Sequence, residues 1–191
     1  MKKLSGKYNL KDDSWTSVNL EVATWKDETV SFEVQGTIKT NAATNDFSTL
    51  IRLYHQYSEQ MTAHVGGCYL AVIYDKGLSR LTILQDRMTS PVTLYYTAYE
   101  GNLYYASSLK TLLSTTRMPR SLNEEAIEEF LVNGYLYGEQ TLVQGVSKLK
   151  AGHALIAENG QFRQVAVSYP SEAMSKGEAL DSWKETLDTA I

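Results

Sequence analysis

The chain has a single cysteine, Cys68, among its 191 residues. That scarcity excludes an intrachain disulfide and any metal cluster built from cysteines, and it fits a reducing cytoplasm. Long apolar runs are missing too. The longest purely apolar stretches extend for only a few residues, far short of the roughly 20 that span a bilayer, and Met1-Lys2-Lys3-Leu4 leads into polar sequence. Neither a signal peptide nor a membrane partner is therefore expected. Basic residues are neither abundant nor clustered: 18 lysines and arginines stand against 22 aspartates and glutamates, for a net charge of -4. Without a basic block, the chain offers no footprint for nucleic acid. Repeats and low-complexity tracts are absent as well.

What is present is the composition of a folded domain. Hydrophobic residues make up 43% and charged residues 21%, outside the disordered range. A chain of this length can bury one full core, with a short appendage at one end. Thirteen tyrosines are the one compositional excess, some of them adjacent, as in Tyr95-Tyr96 and Tyr104-Tyr105. A tyrosine packs its ring while its hydroxyl stays hydrated, which suits half-buried strands.

Periodicity divides the chain into elements. Val18, Leu20 and Val22, then Val30, Phe32 and Val34, recur at spacing two, so residues 15–40 predict an antiparallel hairpin turning at Lys26-Asp27-Glu28. From Asp46 the period changes. Leu50, Ile51, Tyr54, Tyr57, Met61 and Val65 fall on one face of a helix, capped by Asn45 or Asp46 and ending at Gly66-Gly67. The run Cys68-Tyr69-Leu70-Ala71-Val72-Ile73-Tyr74 is apolar without alternation, which means a strand covered on both faces. After the turn Asp75-Lys76-Gly77 comes the strand Arg80-Leu81-Thr82-Ile83-Leu84. Glu100-Gly101-Asn102 and Asn159-Gly160 signal two more hairpins. Short helices are expected at 108–114 and 123–131, the second behind Ser121-Leu122-Asn123-Glu124, which reads as a capping box. Hydrophobic strands that need cover on both sides predict an α+β fold with helix layers on the sheets. After the break Ser168-Tyr169-Pro170-Ser171, the residues Leu180, Trp183, Leu187 and Ile191 form an apolar stripe on a helix from near Glu178.

Three segments carry a further signal. The first is Gly67-Cys68-Tyr69-Leu70-Ala71-Val72-Ile73-Tyr74-Asp75, the second Asp86-Arg87-Met88-Thr89-Ser90-Pro91-Val92-Thr93-Leu94-Tyr95-Tyr96. The third joins Tyr105-Ala106-Ser107-Ser108-Leu109-Lys110-Thr111-Leu112-Leu113 to Leu149-Lys150-Ala151-Gly152-His153. In this order the series resembles the N-terminal glutaminase domain of asparagine synthetases, whose first strand reads Gly-Met-Phe-Ala-Phe-Ala-Ile-Tyr-Asp. The resemblance implies an N-terminal-nucleophile αββα sandwich, two antiparallel sheets between helix layers. It assigns residues 1–168 to the glutaminase-like domain and 169–191 to a linker and first helix leading toward an ATP-binding synthetase domain. In the family that second domain binds ATP, with Mg, through a Ser-Gly-Gly-Leu-Asp-Ser-like loop. No such loop occurs in the 191 residues, so no cofactor is expected in this chain.

The resemblance also supplies site positions. Glutaminases of this class attack with a cysteine at the mature N-terminus, whose own α-amine is the base. Leu4-Ser5-Gly6 falls on the family's Met-Cys-Gly, which puts Ser5, behind four residues, at the nucleophile position. Gln35-Gly36 replaces the family's Asn-Gly oxyanion pair, and Thr37 stands where the family has a glutamate. The longer glutamine cannot present its amide at the same point without moving the backbone. Asp46 matches the aspartate that holds the substrate amine, and a helix cap explains it equally well. The arginine that grips the substrate carboxylate has no counterpart, because no arginine precedes Arg52. The remaining candidates read as structural: Cys68 as a small hydrophobe in a buried strand, His55, His64 and His153 without metal spacing, and Asp86 with Arg87 as an ion pair.

These substitutions imply a cysteine-lacking member, similar to β-lactam synthetases and lasso-peptide cyclases, acting as a non-catalytic scaffold for a synthetase domain of the same or another chain. A homodimer is a further partner expectation. Two rival readings remain open at this stage. Processing after Leu4 would expose Ser5 as the nucleophile of an active amidotransferase, or the domain stands alone as an interaction module.

Overall fold

The computed structural model describes residues 4–17, 22–26, 28–40, 46–87 and 93–167. The strands form two sheets, and every pairing is antiparallel. In the first sheet β1 (Ser5–Asn9) lies between β2 (Trp15–Ser17) and β8 (Asn102–Ala106), and β7 (Tyr95–Tyr99) joins β8 to the short β9 (Ser147–Lys148). The second sheet runs β11-β10-β6-β5-β4-β3, where β3 is Ala23–Lys26, β4 Val30–Lys39, β5 Gly66–Asp75, β6 Arg80–Gln85, β10 His153–Glu158 and β11 Gln161–Ala166.

The sheets face each other through one core and carry a helix on each outer side. Leu4, Tyr8, Leu103 and Tyr105 of the first sheet interdigitate with Leu70, Val72, Leu81 and Ile83 of the second. On the far face of the second sheet, Phe32, Val34, Tyr69, Ala71 and Ile73 pack against Leu50 and Tyr54 of α1 (Phe47–Tyr57). On the far face of the first, Ala106 packs with Leu112 of α2 (Leu109–Thr115), flanked by Tyr95 and Tyr104. This is the α+β sandwich that the pattern and the resemblance both predict. It explains why β5 lacks polar alternation: Leu70 and Val72 enter the central core while Tyr69, Ala71 and Ile73 enter the helix-covered one, so both faces are dry.

Turn chemistry places the hairpins where expected. Glu100 and Gly101 have φ of 49° and 73°, and Asn159 and Gly160 have 51° and 74°, the paired left-handed geometry of two-residue hairpin loops. The rungs Tyr99↔Asn102 and Glu158↔Gln161 close them. The turn after β5 is held by the Asp75 carboxylate, which accepts from the Leu78 N–H at 3.0 Å.

Two expected helices differ in detail. α1 stops at Tyr57 because Ser58 adopts φ 52°, and Ser58–His64 continues as a tighter 3-10 segment rather than as α-helix to Gly66-Gly67. The apolar stripe survives this break, with Met61 fully buried. Arg80 on β6 clamps the segment to the sheet through Glu59 at 2.7 Å and reaches Glu158 at 3.6 Å. α3 (Glu124–Asn133) is capped by Asn123, whose side chain accepts from the Ala126 N–H at 3.3 Å, and not by Ser121. The Ser121 carbonyl instead accepts from the Gln144 N–H, and the Asn123 N–H donates to the Leu142 carbonyl, so residues 121–123 are tied to 142–144 before the helix begins. Val18, Leu20, Asp27, Asn45, residues 88–92 and the break and stripe of 168–191 lie outside the described residues. No helix among the described residues is long and apolar enough to cross a membrane.

Candidate functional site

β1 opens at Ser5, which is 5% exposed and stands opposite Ala106 in the ladder with β8. Side chains alternate along a strand. Leu4 enters the central core, and Gly6 abuts the buried Tyr105 phenol so closely that a Cβ there would lie 2.3 Å from its oxygen. Ser5 therefore shares the opposite face with Ala106, toward the α2 layer.

The junction before Ser5 is held on both sides. The Leu4 N–H donates to Gln35 Oε1 at 3.1 Å and to Ser107 Oγ at 3.0 Å, while the Leu4 carbonyl accepts from the Ser107 N–H at 2.8 Å. Gln35 and Ser5 are thus brought together, but through the backbone of Leu4, with the Gln35 amide oxygen used as an acceptor. An oxyanion site needs donors aimed at the reacting oxygen. Ser107, which the sequence reading passed over, completes the clasp.

Gly36 has a packing role of its own. Its φ is +98°, and a Cβ there would meet the Cys68 carbonyl oxygen at 2.3 Å. Gly67 mirrors it on β5, with φ +111° and the Thr37 carbonyl oxygen at 2.2 Å. The two glycines let β4 and β5 approach where Thr37 pairs with Cys68.

Asp46 caps α1. One carboxylate oxygen accepts from the Ser48 N–H at 3.2 Å and the Ser48 hydroxyl at 2.7 Å, and the other from the Thr49 hydroxyl at 2.6 Å. The Thr49 and Ser48 hydroxyl bonds hold its pKa below the ordinary carboxylate range. A depressed folded pKa contributes stability above the unfolded value, which is lost as pH falls through the folded one. Asp46→Ala is therefore expected to lower the thermal midpoint at neutral pH, and by less as the pH becomes acidic. Asp46→Asn, which keeps an acceptor for Ser48, should lower it less than Asp46→Ala. Melts across that range check this, and a midpoint indifferent to Asp46→Ala at neutral pH would rule the cap out.

The other candidates are scattered. Cys68 is half-buried rather than enclosed, because it lies near the open end of β5. His64 is exposed and stacks on Tyr57 at 4.0 Å, His55 is exposed at the end of α1, and His153 places Nδ1 3.0 Å from the Ala151 carbonyl oxygen. No group of three or more His, Cys, Asp or Glu among the described residues is arranged to hold a metal. Asp86 is buried facing the Tyr69 backbone and the Cys68 thiol, whereas Arg87 is exposed, and the expected Asp86–Arg87 ion pair is not among the salt bridges of the described residues. Burial raises the Asp86 pKa, offset in part by the Tyr69 backbone and the Cys68 thiol. Glu33 is a buried acid that the sequence reading missed. It is 2% exposed on the central-core face of β4; burial pushes the Tyr105 phenol pKa up, the Trp15 hydrogen bond opposes this, and the Glu33 carboxylate adds to the rise. The spacing-two alternation with Phe32 and Val34 puts Glu33 on the opposite face, which reads as solvent in a half-buried strand; only the first sheet covering that face buries it.

Against this geometry, the model of the glutamine amidotransferase domain family matches residues 13–169. Among curated proteins, the amidase chry2 of Gibberella zeae is 27% identical over 112 residues, 59% of this chain and 16% of its own. The amidase chyE of Penicillium rubens is 27% identical over 114 residues, 60% of this chain and 16% of its own. A Bacillus subtilis protein named asparagine synthetase [glutamine-hydrolyzing] 2 is 26% identical over 117 residues, 59% of this chain. The chain spans 16% of the length of each of these relatives. Of solved structures, glutamine phosphoribosylpyrophosphate amidotransferase from B. subtilis aligns at TM-score 0.42 and 10% identity, over 88% of this chain and 44% of that one.

Proposed function

The chain belongs to the glutamine amidotransferase domain family, and from that premise we propose that it is a non-catalytic, glutaminase-like scaffold for an asparagine-synthetase-like, ATP-dependent amide-forming domain. The observation that carries the non-catalytic half is the Leu4–Ser5 junction. An N-terminal nucleophile needs a free α-amine on the residue that attacks. Here the peptide linking Leu4 to Ser5 runs through the core, with Leu4 fully buried and both of its backbone polar groups bonded to Gln35 and Ser107. Releasing Ser5 would break that clasp and expose a core leucine. The serine hydroxyl is moreover a weaker nucleophile than a thiolate.

The remaining pocket positions support the same reading. Gln35 spends its amide oxygen on the Leu4 backbone, Gly36 relieves a steric contact, and Asp46 spends its carboxylate on the α1 cap. The scaffold half is supported by α3 and the turn after it, where Leu131 is 76% and Val132 83% exposed beside the exposed Tyr135 and Tyr137. Contiguous apolar exposure of this kind marks a surface that meets another protein surface. In this reading ATP and Mg are held by the synthetase domain. The test is glutamate release from glutamine. The expected rate equals that of a Ser5→Ala variant, and release that depends on Ser5 would overturn the proposal.

A further inference from the structure

A cavity of about 610 Å³ opens where the end of β4, one face of α1 and the end of the 3-10 segment converge. Its position follows from the fold. The last rung of the β4–β5 ladder, Lys39↔Gly66, forms one wall. Thr49 and Arg52, three residues apart on α1, project from a second wall, and His64 projects from the third. His64 is steadied by its stack on Tyr57.

We propose that this cavity binds a phosphate-bearing small molecule, with Lys39 and Arg52 as the charge partners and Thr49, Thr40 and His64 around them. Among the described residues the lining contains no carboxylate. Among the described residues neither Lys39 nor Arg52 has an ion-pair partner, whereas Arg80, Arg163 and Lys150 are each matched to a glutamate. Asp46 is the nearest acid by connectivity, through its bond to the Thr49 hydroxyl, and its oxygens are taken by the cap donors. A guanidinium and an ammonium lining one cavity suit the tetrahedral dianion, and the guanidinium can grip two of its oxygens at once. The protein's net charge of -4 repels anions elsewhere, so a local positive concavity concentrates them here. The volume lies within the range of small-molecule sites, roughly 300–1,000 Å³, and exceeds what a bare phosphate fills. The proposal is independent of the glutaminase-like reading, because none of Ser5, Gln35, Gly36 and Asp46 lines the cavity.

The test is calorimetric titration of the full 191-residue chain with pyrophosphate at low ionic strength, with glutarate as a dicarboxylate comparator. Saturable binding of pyrophosphate is expected, weakened about tenfold or more by Arg52→Ala and by Lys39→Ala and unchanged by Lys110→Ala on α2. Circular dichroism melts confirm that each variant folds, and Arg52→Lys, which keeps charge without the fork, should recover only part of the affinity. No binding, equal binding of glutarate, or pyrophosphate binding indifferent to Arg52→Ala in a folded protein would each overturn the proposal.

Discussion

Gly36→Ala is expected to destabilise the protein by about 2–6 kcal/mol, and Gly67→Ala by a similar amount. Both glycines occupy backbone conformations that side chains rarely adopt, with φ +98° and +111°. Holding a non-glycine residue in such a region costs about 1–3 kcal/mol. The second contribution is steric. An alanine Cβ at position 36 would lie 2.3 Å from the Cys68 carbonyl oxygen and 3.2 Å from the Tyr69 Cα, both backbone atoms that cannot swing aside as a side-chain tip can. Relief requires β4 and β5 to separate, and these two strands form the continuous ten-rung ladder from Val30↔Asp75 to Lys39↔Gly66. Overpacking of this kind costs about 1–3 kcal/mol more. Against a typical total of 5–15 kcal/mol, the urea midpoint should fall substantially while the slope of the transition is unchanged. Gly66→Ala is the control, since nothing lies within 4 Å of its Cβ position. Equal midpoints for Gly36→Ala and Gly66→Ala would refute the account of this close approach.

Phe32→Ala should cost about 3–5 kcal/mol, the range for deleting a fully buried aromatic ring. Phe32 is fully buried in the middle of β4, opposite Ile73 on β5 and Trp25 on β3. Its ring meets Phe47 at 6.5 Å and Tyr54 at 6.1 Å, both edge to face, so it joins the sheet to both ends of α1. Truncation leaves a cavity that a paired strand beneath a helix cannot collapse to fill. Leu131→Ala on α3 removes a side chain that is already 76% exposed and should shift stability by no more than about 0.5 kcal/mol. Chemical denaturation of the two variants side by side checks the contrast. A loss below about 1.5 kcal/mol for Phe32→Ala would show that α1 is less firmly docked than this packing implies.

The same physics explains which parts of the fold can be read from sequence. The unbroken apolar run of β5 announces two dry faces, and Asn159-Gly160 announces a two-residue turn, because both signals are local. Ser58 is different. A serine at φ 52° has no composition cue, and the apolar stripe runs on through the break because Met61 finds the core from a 3-10 turn as well as from an α-turn. The α3 cap moved from Ser121 to Asn123 because residues 121–123 pair with a segment some twenty positions later, which no short window contains.

The site follows the same division. The resemblance gave Gln35 the place of the family's oxyanion asparagine, and in the fold its amide oxygen accepts from the Leu4 N–H at the start of β1. That the amide serves the Leu4 backbone, with Ser107 as second acceptor, depends on contacts 31 and 103 residues apart in sequence. Asp46 carried two readings from the outset, and its hydrogen bonds to Ser48 and Thr49 are those of a helix cap. The basic cavity drew together Lys39, Arg52 and His64 from three elements, and no motif spans them.

The central claim is that Ser5 remains an internal, non-reacting residue. The most direct measurement is the intact mass of the purified protein taken together with glutamate release from glutamine. The account predicts a polypeptide whose mass still includes Leu4 and which releases glutamate no faster than Ser5→Ala; a polypeptide beginning at Ser5 that releases glutamate would contradict it.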